Sequence, residues 1–164
     1  MDILIIRHAK AEERSLSGQK DARRPLTEAG RKHMRKAASG LRRLVPTIDV
    51  LASSPLVRAR QTAEIIAKKY DKLGITELPP LSPGGSEQEL LDWLRDRRKD
   101  ATVALVGHEP DLGLFASWLL CGKKLPFAPL RKGAAGLIHF TATPVAGHGM
   151  LEWWLTPIQL RRLG

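Results

Sequence analysis

Three short apolar stretches of this chain each run directly into residues suited to holding an anion. Ile3 to Ile6 is followed at once by Arg7-His8. Ile48 to Ala52 leads into Ser53-Ser54-Pro55, with Arg58 shortly after. Ala101 to Val106 ends in Gly107-His108. Short continuous apolar runs of this kind read as buried strands, and in an open α/β sheet ligands bind beyond the carboxyl ends of the strands. If the three strands are parallel neighbours, two imidazoles and two guanidinium groups converge in one cleft. A guanidinium stays charged and offers two donors at once to an oxyanion. The pattern therefore describes an anion site furnished with two imidazoles, which packing alone does not explain.

The elements that would hold these residues are legible along the chain. Asp2–Ile6 opens it as a strand, and residues 9–24, polar, basic and without a period, read as a loop. Thr27 is placed to N-cap a helix whose apolar positions Met34, Ala37/Ala38, Leu41 and Leu44/Val45 recur at helical spacing until Pro46. The strand at 48–52 is followed by a helix that starts at Pro55, a residue favoured in a first turn; its apolar face runs through Ala59, Ala63, Ile66 and Tyr70. A Pro/Gly-rich loop covers 78–85, and Ser86 with Glu89 forms a capping box for a helix carrying Leu90, Leu91, Trp93 and Leu94. The strand at 101–106 precedes a helix from Pro110-Asp111 to Gly122, rich in leucine. Segments 135–143 and 150–155 read as a β-hairpin, in which Trp153 and Trp154 alternate so that at most one ring points inward. The expected fold is α/β in three layers, a mostly parallel central sheet with helices on both faces, and residues 1–164 are expected to form one domain.

Composition narrows the chemistry. The chain has 164 residues, with 27 Lys+Arg against 17 Asp+Glu and a net charge of +10. That surplus points to an anionic partner without choosing among nucleic acid, membrane surface and phosphorylated substrate. Cys121 is the single cysteine, which excludes an intramolecular disulfide and a cysteine-based zinc cluster; it reads as a small buried hydrophobe. Phe127 stands where a Cys-x5-Arg phosphatase loop needs arginine, and Gly122-Lys123 lacks the remaining residues of a nucleotide-binding P-loop. Neither a signal peptide nor a membrane-spanning run is evident, so the expectation is a soluble cytoplasmic protein.

Four segments together resemble the histidine phosphatase (phosphoglycerate-mutase-like) superfamily. They are Leu4-Ile-Ile-Arg-His-Ala9, Arg24-Pro-Leu-Thr-Glu-Ala-Gly30, Ser54-Pro-Leu-Val-Arg-Ala-Arg-Gln-Thr62 and Val106-Gly-His108, and they occur in the family's order. The compact length is similar to that of the small bacterial phosphohistidine phosphatases. The resemblance implies that His8 is the nucleophile, forming a phosphohistidyl enzyme that water then hydrolyses. It implies that Arg7, Arg58 and His108 bind the phosphoryl oxygens and neutralise charge in the transition state. Arg58 rather than Arg60 aligns with the motif. Ala9 stands where the family commonly has glycine, a difference that matters at a positive φ. No metal or cofactor is called for: the two key histidines lack a third ligand at metal spacing.

A general acid is not assigned by any motif; Glu12, Glu87 and Glu109 are the candidates near matched segments. Its absence favours a phosphohistidine protein as substrate, because an imidazole protonated on its other nitrogen departs as a neutral molecule. A small phosphorylated metabolite is the alternative on the same fold. A basic nucleic-acid or polyphosphate-binding protein is the alternative of another class, opposed by the 5% aromatic content and by the absence of a reading motif. Arg24, and Arg23 beside it, are further candidates for recruiting phosphate. His33, His139 and His148 read as structural or surface groups, and the cluster Arg31, Lys32, Arg35, Lys36, Arg42, Arg43 as a solvated helix face. Most of the positive surplus thus lies outside the site, much of it between residues 14 and 43.

Overall fold

The computed structural model describes residues 1–13 and 21–164. Part of the loop expected over 9–24, and part of the basic stretch beginning at 14, lie outside the described residues. One six-stranded sheet organises the rest, with β1 (Asp2–Arg7), β2 (Val50–Ser53), β3 (Ile75–Glu77), β4 (Thr102–Gly107), β5 (Ala135–His139) and β6 (Met150–Leu155) in the order β3-β2-β4-β1-β5-β6. The β3-β2, β2-β4 and β4-β1 pairs are parallel, whereas β5 and β6 are added antiparallel. The expected hairpin is thus formed, though β5 stops at His139 because residues 141–143 bend away.

Among the described residues, five α-helices cover the two faces. Leu4, Ile6, Leu51, Ala104 and Val106 point to the side of α1 (Glu28–Leu44), α2 (Val57–Ala67) and α5 (Pro157–Leu163). Ile3, Ile5, Ala52, Val103 and Leu105 point to α3 (Glu87–Arg95) and α4 (Asp111–Cys121). A strand buried on both faces needs no alternation of apolar with polar residues, which is why β1 and β4 read as unbroken apolar runs.

Local chemistry sets the helix ends. Thr27 Oγ1 accepts from Gly30 N at 2.9 Å and starts α1. Ser86 Oγ accepts from Glu89 N at 3.2 Å, the serine half of the expected box. Gly122, at φ 73°, closes α4 in the left-handed region. The helix expected from Pro55 to about residue 70 is shorter: it begins at Val57 with Leu56 as N-cap, and Tyr70 lies beyond it, its hydroxyl donating to Val45 O at 2.8 Å.

Two expectations are corrected. Cys121 is exposed, because it occupies the last residue of α4 where the helix leaves the core. Both tryptophans of β6 pack inward: Trp153 lies against the α1/α2/α5 core and Trp154 against the α3/α4 core. Alternation holds, but each face of this sheet has its own helix layer. A further short helix, α5, follows β6 without a helical period in its sequence; Thr156 and Gln159 start it with a complete capping box, and Pro157 lies in its first turn.

Candidate active site

The parallel register brings the three strand exits side by side. Arg7 pairs with Gly107 across β1 and β4, and Ser53 with Val106 across β2 and β4. His8 N donates to Gly107 O at 3.1 Å, and Ser54 N to Val106 O at 2.9 Å. His8 and His108 therefore leave adjacent strands at the same height, with ring centroids 5.0 Å apart. Arg58, in the first turn of α2, reaches over Ser54 and places its Nε 3.3 Å from His8 Nε2. His8, Arg58 and His108 are each at most 6% exposed. Together with Arg7 they line a cleft of about 360 Å³ that also includes Asp21, Arg24, Pro83, Glu109 and Lys132.

Hydrogen bonds fix the state of His8. Its Nδ1 lies 2.7 Å from Ala9 O, and because a carbonyl only accepts, Nδ1 carries the proton. Nε2 is then the bare nitrogen, and it accepts from Arg58 Nε. Burial depresses the His8 pKa to about 4; the Ala9 bond opposes this, while Arg58, Arg7 and Lys132 add to it. His108 is pushed down to about 3 by burial first, then by His8 and Arg58. Both rings are neutral near pH 7. His108 Nε2 sits 2.9 Å from Ser54 Oγ. Ser54 Oγ also accepts from Leu56 N at 3.3 Å, so donation of its own proton to Nε2 satisfies both groups.

The cations are held by the backbone and by one carboxylate. Arg7 Nη1 donates to Leu130 O at 2.7 Å. Arg58 Nη1 and Nη2 donate to Asp21 O and Oδ2 at 2.9 and 3.0 Å. Asp21 Oδ1 in turn accepts from Arg24 Nε at 2.8 Å, and Arg24 Nη1 donates to Glu12 O at 2.7 Å. Arg24 thus stands at the cleft, as expected, with its guanidinium committed to Asp21 and Glu12. Two buried donors of the site, Arg7 Nε and His108 Nδ1, have no hydrogen-bond partner among the described residues. A buried donor without a partner is costly, and here both belong to residues lining one cleft.

The remaining motif residues hold the frame. Thr62 Oγ1 accepts from Ala9 N at 3.1 Å and donates to Arg58 O at 2.7 Å, tying α2 to the β1 exit. Gln61 Oε1 accepts from Leu26 N at 2.8 Å, anchoring the segment before α1. The first turn of α1 crosses Lys10 so closely that a Cβ on Gly30 would lie 2.1 Å from Lys10 O. Ala9 is not among the residues at positive φ, so the methyl group in place of glycine introduces no backbone strain there.

Of the three candidate acids, Glu109 alone lines the cleft. Burial raises its pKa, against hydrogen bonds from Leu130 N and Gly113 N and the charge of Arg7. Its Oε1 accepts from Leu130 N at 3.0 Å, the same residue whose carbonyl holds Arg7. Glu87 pairs with Lys124 at 3.0 Å instead. Asp21 and Lys132 escaped the sequence reading: Asp21 has no periodic or motif signal, and Lys132 comes from the loop before β5, far from any matched segment. Among the described residues no group of three or more His, Cys, Asp or Glu is placed to hold a metal ion, and no helix is long and apolar enough to cross a membrane.

Residues 3–82 match the histidine phosphatase superfamily (branch 1). An uncharacterized protein of Picosynechococcus is 36% identical over 152 residues, covering 82% of this chain and 87% of its own. The phosphohistidine phosphatase SixA of Escherichia coli is 27% identical over 164 residues, covering 98% of this chain and 97% of its own. The solved structure of the protein histidine phosphatase SixA complexed with tungstate superposes with a TM-score of 0.83 at 27% identity, over 98% of this chain and 99% of that one.

Proposed function

The chain belongs to the histidine phosphatase superfamily, and on that premise we propose that this phosphatase removes the phosphoryl group from phosphohistidine on a protein through a covalent intermediate on His8. The observation that carries the reading is the polarity of the cleft. One bare imidazole nitrogen, His8 Nε2, faces a space bordered by Arg7, Arg58 and Lys132, while Arg7 Nε and His108 Nδ1 are buried donors awaiting an acceptor. A phosphoryl group supplies acceptors and negative charge together.

In the first half-reaction the lone pair of His8 Nε2 attacks phosphorus in line. The bond from phosphorus to the substrate imidazole breaks, and its electron pair stays with that ring. If the ring already carries a proton on its other nitrogen, it leaves neutral, so no proton donor from the enzyme is needed. Arg58 Nε, now donating to His8 Nε2, turns to a phosphoryl oxygen and releases the lone pair. His108, in the tautomer with its proton on Nδ1, donates to a second oxygen, and Arg7 neutralises a third. In the second half-reaction water attacks the phosphohistidyl group, the P–Nε2 bond breaks, and inorganic phosphate leaves with His8 restored. Such a transfer depends mainly on positioning and electrostatic stabilisation. Glu109, tied to Leu130 N, serves here to position Arg7 rather than to donate a proton.

The kinship with the SixA phosphohistidine phosphatase supports this substrate class. The test is a comparison of turnover on a phosphohistidine protein with turnover on sugar phosphates, each with and without EDTA. Faster, EDTA-resistant hydrolysis of phosphohistidine is expected; faster sugar-phosphate hydrolysis would transfer the assignment to a small metabolite.

A further inference from the structure

Beyond the cleft, the surface shared by α1 and α5 carries cations that the fold leaves uncompensated. A depression beside the site is bordered by Lys10, His33, Lys132 and Arg161 over a floor of Ala9, Met34 and Gly133. A second depression adjoins it, lined by Lys32, His33, Lys36, Ile158, Arg161 and Arg162. His33 and Arg161 belong to both, and Lys132 belongs to both the first depression and the catalytic cleft. The three hollows therefore adjoin one another across shared side chains. No carboxylate lines either depression.

Several cations on other faces are paired. Arg42 pairs with Asp71, Arg60 with Glu64 and Glu77, Arg95 with Asp92, Arg98 with Asp49 and Asp100, and Lys124 with Glu87. Lys10, Lys32, Lys36, Lys132, Arg161 and Arg162 have no ion pair among the described residues, like other exposed cations such as Lys68 and Lys99, but these six border two adjoining depressions that no carboxylate lines. Like charges held close together with no counter-charge raise the local potential and favour an anionic surface over them. Lys32 and Lys36 are one helical turn apart and stand on one side of α1.

We propose that this α1/α5 face docks the acidic surface of the phosphorylated protein whose phosphohistidine enters the cleft. The inference rests on the phosphohistidine-protein reading given above and adds to it what selects the protein. A protein partner suits the face better than a nucleic acid on two grounds. Its lining has no aromatic side chain other than His33 on which bases could stack. It includes Ile158, an apolar side chain 50% exposed among the cations, as an anchor for a protein surface. Lys132, which borders both the first depression and the cleft, sets the direction: a partner seated over α1 and α5 has the His8 cleft directly beside it.

The test uses the full chain and two synthetic phosphohistidine peptides of equal length, one flanked by glutamates and the other by glutamines, with an aryl phosphate as the small substrate. The wild type is expected to prefer the glutamate-flanked peptide, and Lys32→Glu/Lys36→Glu to lower kcat/KM on it roughly tenfold, through KM. Turnover of the aryl phosphate and of the glutamine-flanked peptide should not change. Arg162→Glu, on the other helix, should act in the same direction, and Lys32→Gln/Lys36→Gln should give a smaller loss. Unchanged thermal melting would show that the fold is intact. Fluorescence anisotropy with the unphosphorylated glutamate-flanked peptide reads the surface without chemistry: binding should be lost in the charge-reversed variant and in high salt.

Equal turnover of the two peptides by the wild type, or an equal loss on all substrates in the variants, would overturn the docking surface. Tighter binding of a labelled single-stranded oligonucleotide, lost with the same lysines, would reassign it to nucleic acid and likewise overturn the proposal. Hydrolysis of the aryl phosphate but of neither phosphohistidine peptide would defeat the substrate reading. Acidic-peptide binding that depends on Lys32 and Lys36 would uphold the surface even then.

Discussion

His8 can attack phosphorus only while Nε2 is unprotonated; burial keeps the ring neutral by lowering its pKa to about 4, and the bond to Ala9 O places the neutral ring's proton on Nδ1. Removal of the ring in His8→Ala should abolish turnover of an aryl phosphate, a loss of roughly 10³-fold or more. His108→Ala, which removes an oxyanion donor but leaves the nucleophile, should cost about 10²–10³ in kcat. A fully active His8→Ala enzyme would exclude the covalent mechanism. Glu109 offers a finer test because its Oε1 is engaged by Leu130 N, whose carbonyl holds Arg7. Glu109→Gln should keep phosphohistidine hydrolysis within about tenfold of wild type, and Glu109→Ala should raise KM by loosening Arg7. A loss of roughly 10² or more in kcat for the glutamine variant, steeper for poor leaving groups, would instead make Glu109 the proton donor.

At the scale of the elements, the site depends on three parallel strands ending at one level, and the arrangement was readable because each β1, β2 and β4 exit carries its functional residue within a few positions of an apolar run. The convergence of Arg7, His8, Arg58 and His108 could be anticipated for that reason. Asp21 and Lys132 could not, since one reaches the cleft from a short 3-10 turn and the other from a loop, and tertiary packing sets the path of both. The α5 helix escaped because its seven residues expose Ile158 and Leu163 and bury only Leu160, too few apolar positions for a helical period. Its place is secured by close approach rather than by length: a Cβ on Gly40 of α1 would lie 2.1 Å from Leu160 O. A backbone oxygen cannot step aside as a flexible side chain can. Gly40→Ala is therefore expected to force α5 away from α1 and to destabilise the fold by about 1–3 kcal/mol, measured as a lower urea midpoint. An unchanged midpoint would mean that α5 is not seated on α1 as described. The same helix supplies Arg161 and Arg162, so loss of its seat should also weaken binding of an acidic peptide.

For the whole molecule, burial of two neutral imidazoles ties stability to pH. In the unfolded chain His8 and His108 titrate near the ordinary 6.5, whereas in the fold they hold out to about 4 and about 3. Between pH 6.5 and about 4 the unfolded state therefore binds more protons than the native state, and stability must rise with pH across that window. Above about 6.5 both states leave these rings neutral, and their contribution no longer varies. Glu109 acts in the opposite sense, since its raised carboxyl pKa lets the native state hold a proton that the unfolded chain has already released. The displacement is large for both histidines and smaller for Glu109, so the histidines dominate. Acidification from pH 7 to pH 5 should thus cost on the order of 1–2 kcal/mol per ring, read as a falling urea midpoint at constant ionic strength. His8→Ala and His108→Ala should each flatten that slope, whatever they do to the midpoint at pH 7. A slope that survives both substitutions would place the titration elsewhere. The kinetic consequence is that kcat/KM for an aryl phosphate should show no loss near pH 6.5 attributable to His8, because the free enzyme keeps its nucleophile bare down to about pH 4. The cleft therefore costs the protein stability in mild acid while keeping the nucleophile deprotonated there.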